Sequence, residues 1–334
     1  MLVRILVKRI LKGLGVVILL AVLVLAGLKV YGDGRFYRDY DPELPFREQV
    51  APAEAVDDTV DVFGVEKPRK FKRVEFSFEA RAGDRVPGLM ALPAKSEGRL
   101  PVIVFLHGSG QKKEFIDVIA TPFTNAGFAM VSFDQWLRGD RRVEGRLAAV
   151  WGWRARFWKT VNDTRRLVDY LQTRPEFDPG RIYLTGASYG AITGTVVLAR
   201  EKRIKAGALV VGGGDFDTML DAPLIRNTVP TAALFVAKPI VKYFVSAADP
   251  VRHAGLTEGT PVLMQNGSDD ALVSPEAGEA LYAALGEPKE IRWYPIDHPG
   301  LRKSDGPVIV ELLNDTVAWM LERDAAGGHD ASRQ

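Results

Sequence analysis

Residues 181–191 read RIYLTGASYGA, and the rest of the chain makes most sense as a frame for the serine in the middle. Ile182, Tyr183 and Leu184 form a short apolar run of the kind a buried strand carries. Gly186, Ser188 and Gly190 then match G-x-S-x-G, and an apolar stretch of helical character follows to Leu198. Strand, tight turn and helix in that order set the serine at an exposed apex in strained backbone dihedrals. Glycines on both sides keep Cβ atoms out of the space where strand and helix cross. In a chain with 32 glycines the pattern alone arises by chance about 0.1 times. Its weight comes from the strand before it and the helix after it.

Outward from this turn, apolar runs recur at intervals. Residues 101–106, PVIVFL, and 127–133, which end before Asp134, are near-continuous, the mark of strands covered on both faces. Residues 206–211, 261–265 and 290–294 predict later strands. Upstream, Val74, Phe76 and Phe78 alternate with Glu75, Ser77 and Glu79, which predicts a half-buried strand. Residues 86–92 pair with it after the Ala82-Gly83-Asp84 turn. Helical spacing joins Phe157, Val161, Val168 and Leu171, and again Ile309, Leu313, Val317 and Met320. Ser274-Pro275-Glu276 is a helix start, with a capping serine and proline at the first helical position. The alternation predicts an α/β fold with a mainly parallel sheet, helices on both faces, and an antiparallel edge from the first two strands.

Composition excludes several classes of function. The chain has 334 residues, 47% hydrophobic and 26% charged, so it is globular rather than disordered. A net charge of +2 gives no reason to expect a nucleic-acid partner. With no cysteine, disulfides, thiolate catalysis and cysteine metal sites are ruled out. The histidines are His107, His253, His298 and His329, a short set for any base-dependent mechanism.

The N-terminus bears on location. Arg4, Lys8, Arg9 and Lys12 precede an uncharged run, 13–28, that ends at Lys29. As a helix this run spans roughly 24 Å, a little short of the ~30 Å hydrocarbon core, and the flanking lysines can snorkel. Residues 1–30 are expected to be a transmembrane signal anchor, with the N-terminus cytoplasmic and the rest extracytoplasmic, periplasmic or extracellular. Val24-Leu25-Ala26 offers a cleavage site, and cutting there would leave a secreted chain. Residues 31–70, rich in proline and acid, are expected to be a tether, and 324–334 a flexible tail. The catalytic domain is expected over 71–323.

In a parallel sheet, ligands bind beyond the carboxyl ends of the strands. His107-Gly108-Ser109-Gly110, Ser188, Asn266-Gly267-Ser268-Asp269-Asp270 and Asp297-His298 all fall there. A serine hydroxyl needs a base within hydrogen-bond reach to act as a nucleophile. His298 would take its proton and return it to the leaving group, while an acid orients the imidazole. The amides of Ser109 and Tyr189 are the candidates for an oxyanion site. His107 reads as a brace for the glycine loop, His253 as solvated and His329 as tail. Trp151, Trp153, Phe157 and Trp158 read as packing, with an acyl-pocket lining as the alternative, and the basic run 138–146 as a solvated loop.

Taken together, Leu106-His107-Gly108, Asp178-Pro179-Gly180-Arg181-Ile182, the 186–190 turn, Gly267-x-x-Asp270-x-x-Val273 and His298 make the chain resemble the α/β-hydrolase superfamily over roughly 74–321. The branch it looks most like holds dienelactone hydrolases, acetyl xylan esterases and prolyl-oligopeptidase-type domains. The resemblance implies a Ser188–Asp270–His298 triad and no cofactor. It implies a serine hydrolase that cleaves small carboxylic esters through an acyl-enzyme. A peptidase of the prolyl-oligopeptidase type and a silent hydrolase-like binding module are the rival readings. Of the two adjacent acids, the Gly-x-x-Asp-x-x-Val spacing selects Asp270, which leaves Val273 to pack. Asp297 is set aside because sequence neighbours seldom present side chains to each other in the needed geometry. Residues 213–258 occupy the place of a cap, with the apolar stretch 231–247 covering the serine.

Overall fold

The computed structural model describes residues 2–331. The side chains of Arg4, Lys8, Arg9, Trp151 and His329 lie outside what it describes. Two compact units result, residues 1–39 and 40–334.

The first unit holds helix α1, Leu2–Gly34. It continues past the expected end of the apolar run, because Val30 and Tyr31 extend that run, and it ends at the Gly32-Asp33-Gly34 stretch. Within it, Lys12–Gly34 spans 23 residues at a mean hydropathy of 2.6, long and apolar enough to cross a bilayer by length and composition.

The second unit is built on a ten-stranded sheet. Its strands are β1 (Gln49–Val50), β2 (Glu54–Val62), β3 (Val65–Arg81), β4 (Asp84–Leu92), β5 (Leu100–Leu106), β6 (Ala129–Phe133), β7 (Phe177–Ala187), β8 (Ile204–Val210), β9 (Val262–Gly267) and β10 (Lys289–Tyr294). The order is β1-β3-β4-β6-β5-β7-β8-β9-β10, with β2 paired to β3. From β6 to β10 every pairing is parallel, and the strands before β5 extend the sheet antiparallel. The expected α/β fold with a mainly parallel sheet is what the chain adopts. Strands β5, β6 and β9 are buried at every position, which explains why β5 is apolar throughout and why Ser132 of β6 and Gln265 and Asn266 of β9 are hydrogen-bonded inside.

The helices of this unit are α2 (Ile116–Asn125), α3 (Arg146–Thr173), α4 (Tyr189–Arg200), α5 (Phe216–Met219), α6 (Pro223–Thr228), α7 (Thr231–Val245), α8 (Val251–Ala254), α9 (Pro275–Ala284) and α10 (Gly306–Ala331). The longest of them close over the core. Phe105, Phe123, Phe128, Met130 and Tyr183 pack there with Trp319 and Met320 of α10.

Two expected boundaries need correction. Much of the supposed tether, 31–70, is ordered sheet. Strand β2 pairs with β3 over its whole length, and its acids face bases rather than solvent alone, with Asp57 opposite Lys70 and Asp58 opposite Arg69. The turn between them is Phe63-Gly64, both at positive φ (52° and 88°), as a two-residue hairpin requires. Further upstream, the Tyr40 hydroxyl donates to both oxygens of Asp169 at 2.9 Å, and buried Arg166 donates to the carbonyls of Pro42 (3.0 Å) and Leu44. The expected flexible tail, 324–334, begins inside α10. Asp324 is held there by Arg181 Nε and the Tyr183 hydroxyl, each at 2.8 Å.

Candidate active site

Ser188 follows β7 and precedes α4, at φ 55° and ψ −115°. A non-glycine residue held there stores about 1–3 kcal/mol of strain, and the surroundings fix it. Its amide donates to Val210 O at 2.8 Å, and its carbonyl accepts from Ala191 N at 2.9 Å and Ile192 N at 3.1 Å. A Cβ on Gly186 would lie 2.3 Å from Gly190 O, and one on Gly190 would lie 1.8 Å from Leu106 O. Both glycines are therefore demanded by strand and helix crossing at contact distance.

Three sequence-distant side chains meet at this apex. The Ser188 hydroxyl donates to His298 Nε2 at 3.0 Å. On the far side of the ring, His298 Nδ1 donates to Asp270 Oδ2 at 2.8 Å. Asp270 is 2% exposed, and its other oxygen accepts from the amides of Leu272 (2.9 Å) and Val273 (2.7 Å). An ionised carboxylate with that many donors accepts from the imidazole and does not donate, which fixes the proton on Nδ1 and leaves Nε2 free to accept. Asp269 points elsewhere, to an exposed ion pair with Arg302 at 3.1 Å. Asp297 braces the two loops instead of touching the ring: its Oδ1 accepts from Ala271 N (2.9 Å) and His298 N (2.7 Å).

The other expected residues sort differently. Tyr189 is the first residue of α4, so its amide has no acceptor within the helix. Ser109 lies beside Ser188 on the walls of two cavities. His107 is fully buried: its Nδ1 donates to Gly108 O at 2.9 Å, and Gln135 Nε2 donates to its carbonyl at 2.8 Å. Burial pushes its pKa down to about 4, so the ring is neutral at ordinary pH. His253 is not the solvated residue the sequence suggests. It is partly buried, donates from Nε2 to Ala247 O at 2.9 Å, and burial lowers its pKa.

Ser188 opens on both sides. One cavity of about 350 Å³ runs under His298 between Phe63, Phe105, Phe115 and Phe123 and the α10 residues Leu312 and Leu313. A second, of about 360 Å³, is lined by Trp153, Phe157, Phe216, Leu220, Val241 and Val245. Trp153 and Phe157 thus take the pocket role weighed as an alternative to packing, while Trp158 stacks against Arg81 at 5.3 Å.

The basic run 138–146 is also more than a solvated loop. Arg141 is buried in ion pairs with Asp163 (2.6 Å) and Asp84 (2.8 Å). Arg138 reaches Ser109 Oγ at 3.3 Å, where Arg156 of α3 also donates at 3.3 Å. Arg156 is a site residue that the sequence does not single out. Its helix also buries Thr160, Asn162, Asp163, Thr164 and Arg166, so polarity there does not mark the solvent side.

A serine, a correctly tautomeric histidine and a buried carboxylate in this order can move a proton off the hydroxyl as it attacks a carbonyl. The sequence model of the prolyl oligopeptidase family matches residues 117–322, more than half the chain and the part that carries all three groups. The chain belongs to the prolyl oligopeptidase family. The "Putative hydrolase YtaP" of Bacillus subtilis is 28% identical over 145 residues, 36% of this chain and 46% of that protein. This chain therefore matches about half that relative's length. Esterase YjfP of Escherichia coli is 24% identical over 63% of this chain and 84% of its own. The acetyl xylan esterase of Paenibacillus sp. R4 shares the fold, with a TM-score of 0.64 at 20% identity, over 87% of this chain and 93% of that one. The family places the chain among the serine hydrolases.

Proposed function

We propose that this member of the prolyl oligopeptidase family cleaves carboxylic esters of small molecules through an acyl-enzyme on Ser188. His298 takes the hydroxyl proton during attack and returns it to the departing alcohol, then activates water for deacylation. Asp270 keeps the imidazole in the working tautomer and stabilises its charged form. The amides of Ser109 and Tyr189 receive the oxyanion, and the N-terminus of α4 adds a favourable dipole. The observation that carries this reading is the unbroken contact chain, 3.0 Å from Ser188 to His298 and 2.8 Å on to Asp270. The same chemistry serves amides, and the family favours that second reading. A panel of matched esters and anilides separates the two: ester turnover well above amide turnover is expected, and the reverse order would make the chain a peptidase.

In this reading residues 213–258 form a cap over the second cavity, and the catalytic domain of 71–323 also takes in the β2–β3 hairpin and Asp324 of α10. Helix α1 anchors the chain in a membrane with its basic end cytoplasmic, which puts the catalytic domain on the outer side. The full chain is then expected to sediment with membranes and to be released by protease added from outside. A soluble mature chain that begins near Gly27 would retire the anchor in favour of a cleaved signal peptide.

A further inference from the structure

The cations around the site fall into two groups. Lys113 holds Asp134 at 3.0 Å and Asp140 at 2.8 Å, Arg141 holds Asp163 and Asp84, and Lys159 holds Asp84 at 2.8 Å. Arg138 and Arg156 form no ion pair among the described residues. Arg156 is 5% exposed; it donates to Ser109 Oγ at a long 3.3 Å and also bonds the Tyr189 hydroxyl, and neither partner carries a counter-charge. Arg138 shares that hydroxyl and otherwise reaches only Leu137 O at 3.2 Å. The Nε atoms of both are buried without a hydrogen-bond acceptor. Burial and the charge of Arg156 lower the pKa of Arg138, the mark of like charges held together without an acid between them.

A buried guanidinium with no counter-charge is costly to keep, and a second one aimed at the same oxygen adds repulsion. The stacking of Arg156 on the Tyr189 ring, 4.1 Å from its centroid, offsets only part of this. The two guanidiniums meet at Ser109 Oγ; Ser109 lines both cavities with Ser188, and Arg156 itself lines the second. The rest of that second wall is apolar, with Phe157, Ile192, Phe216 and Val245 among its residues. An anionic oxygen group on an aliphatic or aromatic body matches both features, since guanidinium forks bind carboxylates and phosphates with charge-assisted hydrogen bonds.

We infer that Arg138 and Arg156 form a subsite for an anionic oxygen group, a carboxylate by preference, carried by the ester that Ser188 attacks. The inference rests on the proposed role of Ser188 and adds the charge of the substrate to it. The two guanidiniums bind the anion while the apolar wall takes the adjoining carbons, and the scissile carbonyl lies at Ser188.

The test compares kcat/KM for p-nitrophenyl hydrogen glutarate with that for its neutral methyl ester, and for a phosphono analogue of similar length. The anionic ester is expected to be preferred by about tenfold or more, chiefly through KM. Arg156→Gln should bring the ratio towards one, Arg138→Gln should lower it less, and Arg156→Lys should keep part of it. A larger preference for the phosphono ester would assign the subsite to phosphate groups. A ratio near one in the unaltered protein, or one unchanged by both glutamine substitutions, would overturn the inference. Labelling of Ser188 by a fluorophosphonate reports that each variant keeps its site. Calorimetry of glutarate with the Ser188→Ala protein reads the subsite without turnover, and binding there that Arg156→Gln abolishes supports it even if no ester is hydrolysed. Absence of both ester turnover and Ser188 labelling, with glutarate still bound, would remove the hydrolase reading alone.

Discussion

The loops beyond β7, β9 and β10 and the segment 213–258 lie on either side of Ser188, and they are built by opposite rules. In the loops, side chains are fixed by several partners at once. Asp270 takes two amides and an imidazole, and Asp297 takes two amides while its own amide donates to Asp305 at 2.8 Å. In the segment, α5 and α6 are short, Pro239 interrupts α7, and apolar side chains such as Phe235 (82% exposed) face outward. Asp249 caps the amides of Asp215 and Phe216 at 3.1 and 2.9 Å, and Lys238 and Lys242 pair with Asp221 and Asp217 at the surface. Side chains that meet at Ser188 are over-determined here, while the segment that shapes the pocket leaves much of α7 exposed.

The sharpest way to break this comparison is at Ser188 itself. Ser188→Ala is expected to lower ester turnover by on the order of 10⁶ with little change in stability, because one hydroxyl is removed from a site braced by backbone. Steady-state rates and a urea melt check both halves. Next comes the contrast between adjacent acids. Asp270→Asn should cost about 10⁴ in turnover by offering the imidazole the wrong partner. Asp269→Asn, on an exposed ion pair, should cost less than about tenfold. The reverse ranking would move the orienting acid.

A smaller effect concerns His107. Its folded pKa lies near 4, below the ordinary 6.5, so the unfolded chain binds more protons between those values. Stability from the neutral ring is therefore fully present above about pH 6.5 and is lost as pH falls towards 4, by up to about 3 kcal/mol. His107→Asn, which keeps a donor towards Gly108 O, should flatten that part of the curve in urea melts taken across pH. The smallest expected change is in the segment: Val241→Trp should shorten the preferred acyl chain by narrowing the second cavity, lowering the hexanoyl-to-acetyl rate ratio by about tenfold. An unchanged ratio in the folded variant would make α7 mere packing.

How much of this was legible in the sequence follows the same division. The strand–turn–helix around Ser188 declared itself because close crossing admits only glycine at 186 and 190. The buried strands β5, β6 and β9 declared themselves by runs that are mainly apolar. The spacing from Gly267 picked out the acid that meets His298, since Asp270 must turn back under its own loop to accept the Leu272 and Val273 amides. The β2–β3 hairpin stayed hidden for two reasons. Its acids are answered by bases on the partner strand, and its turn begins with Phe63, where Asn, Asp or Gly would have signalled it. Arg156 stayed hidden because α3 buries polar residues such as Thr160, Asn162, Asp163 and Arg166, so its polar positions give no periodic sign of which one faces a cavity, and Arg138 because a basic run between elements reads as a solvated loop.

The most direct test of the central claim is covalent. Fluorophosphonate treatment of the full-length protein, read by intact mass and peptide mapping, should give one adduct on Ser188, lost in Ser188→Ala and slowed in Asp270→Asn. Labelling that persists in folded Ser188→Ala, or none in the unaltered protein, would contradict the account.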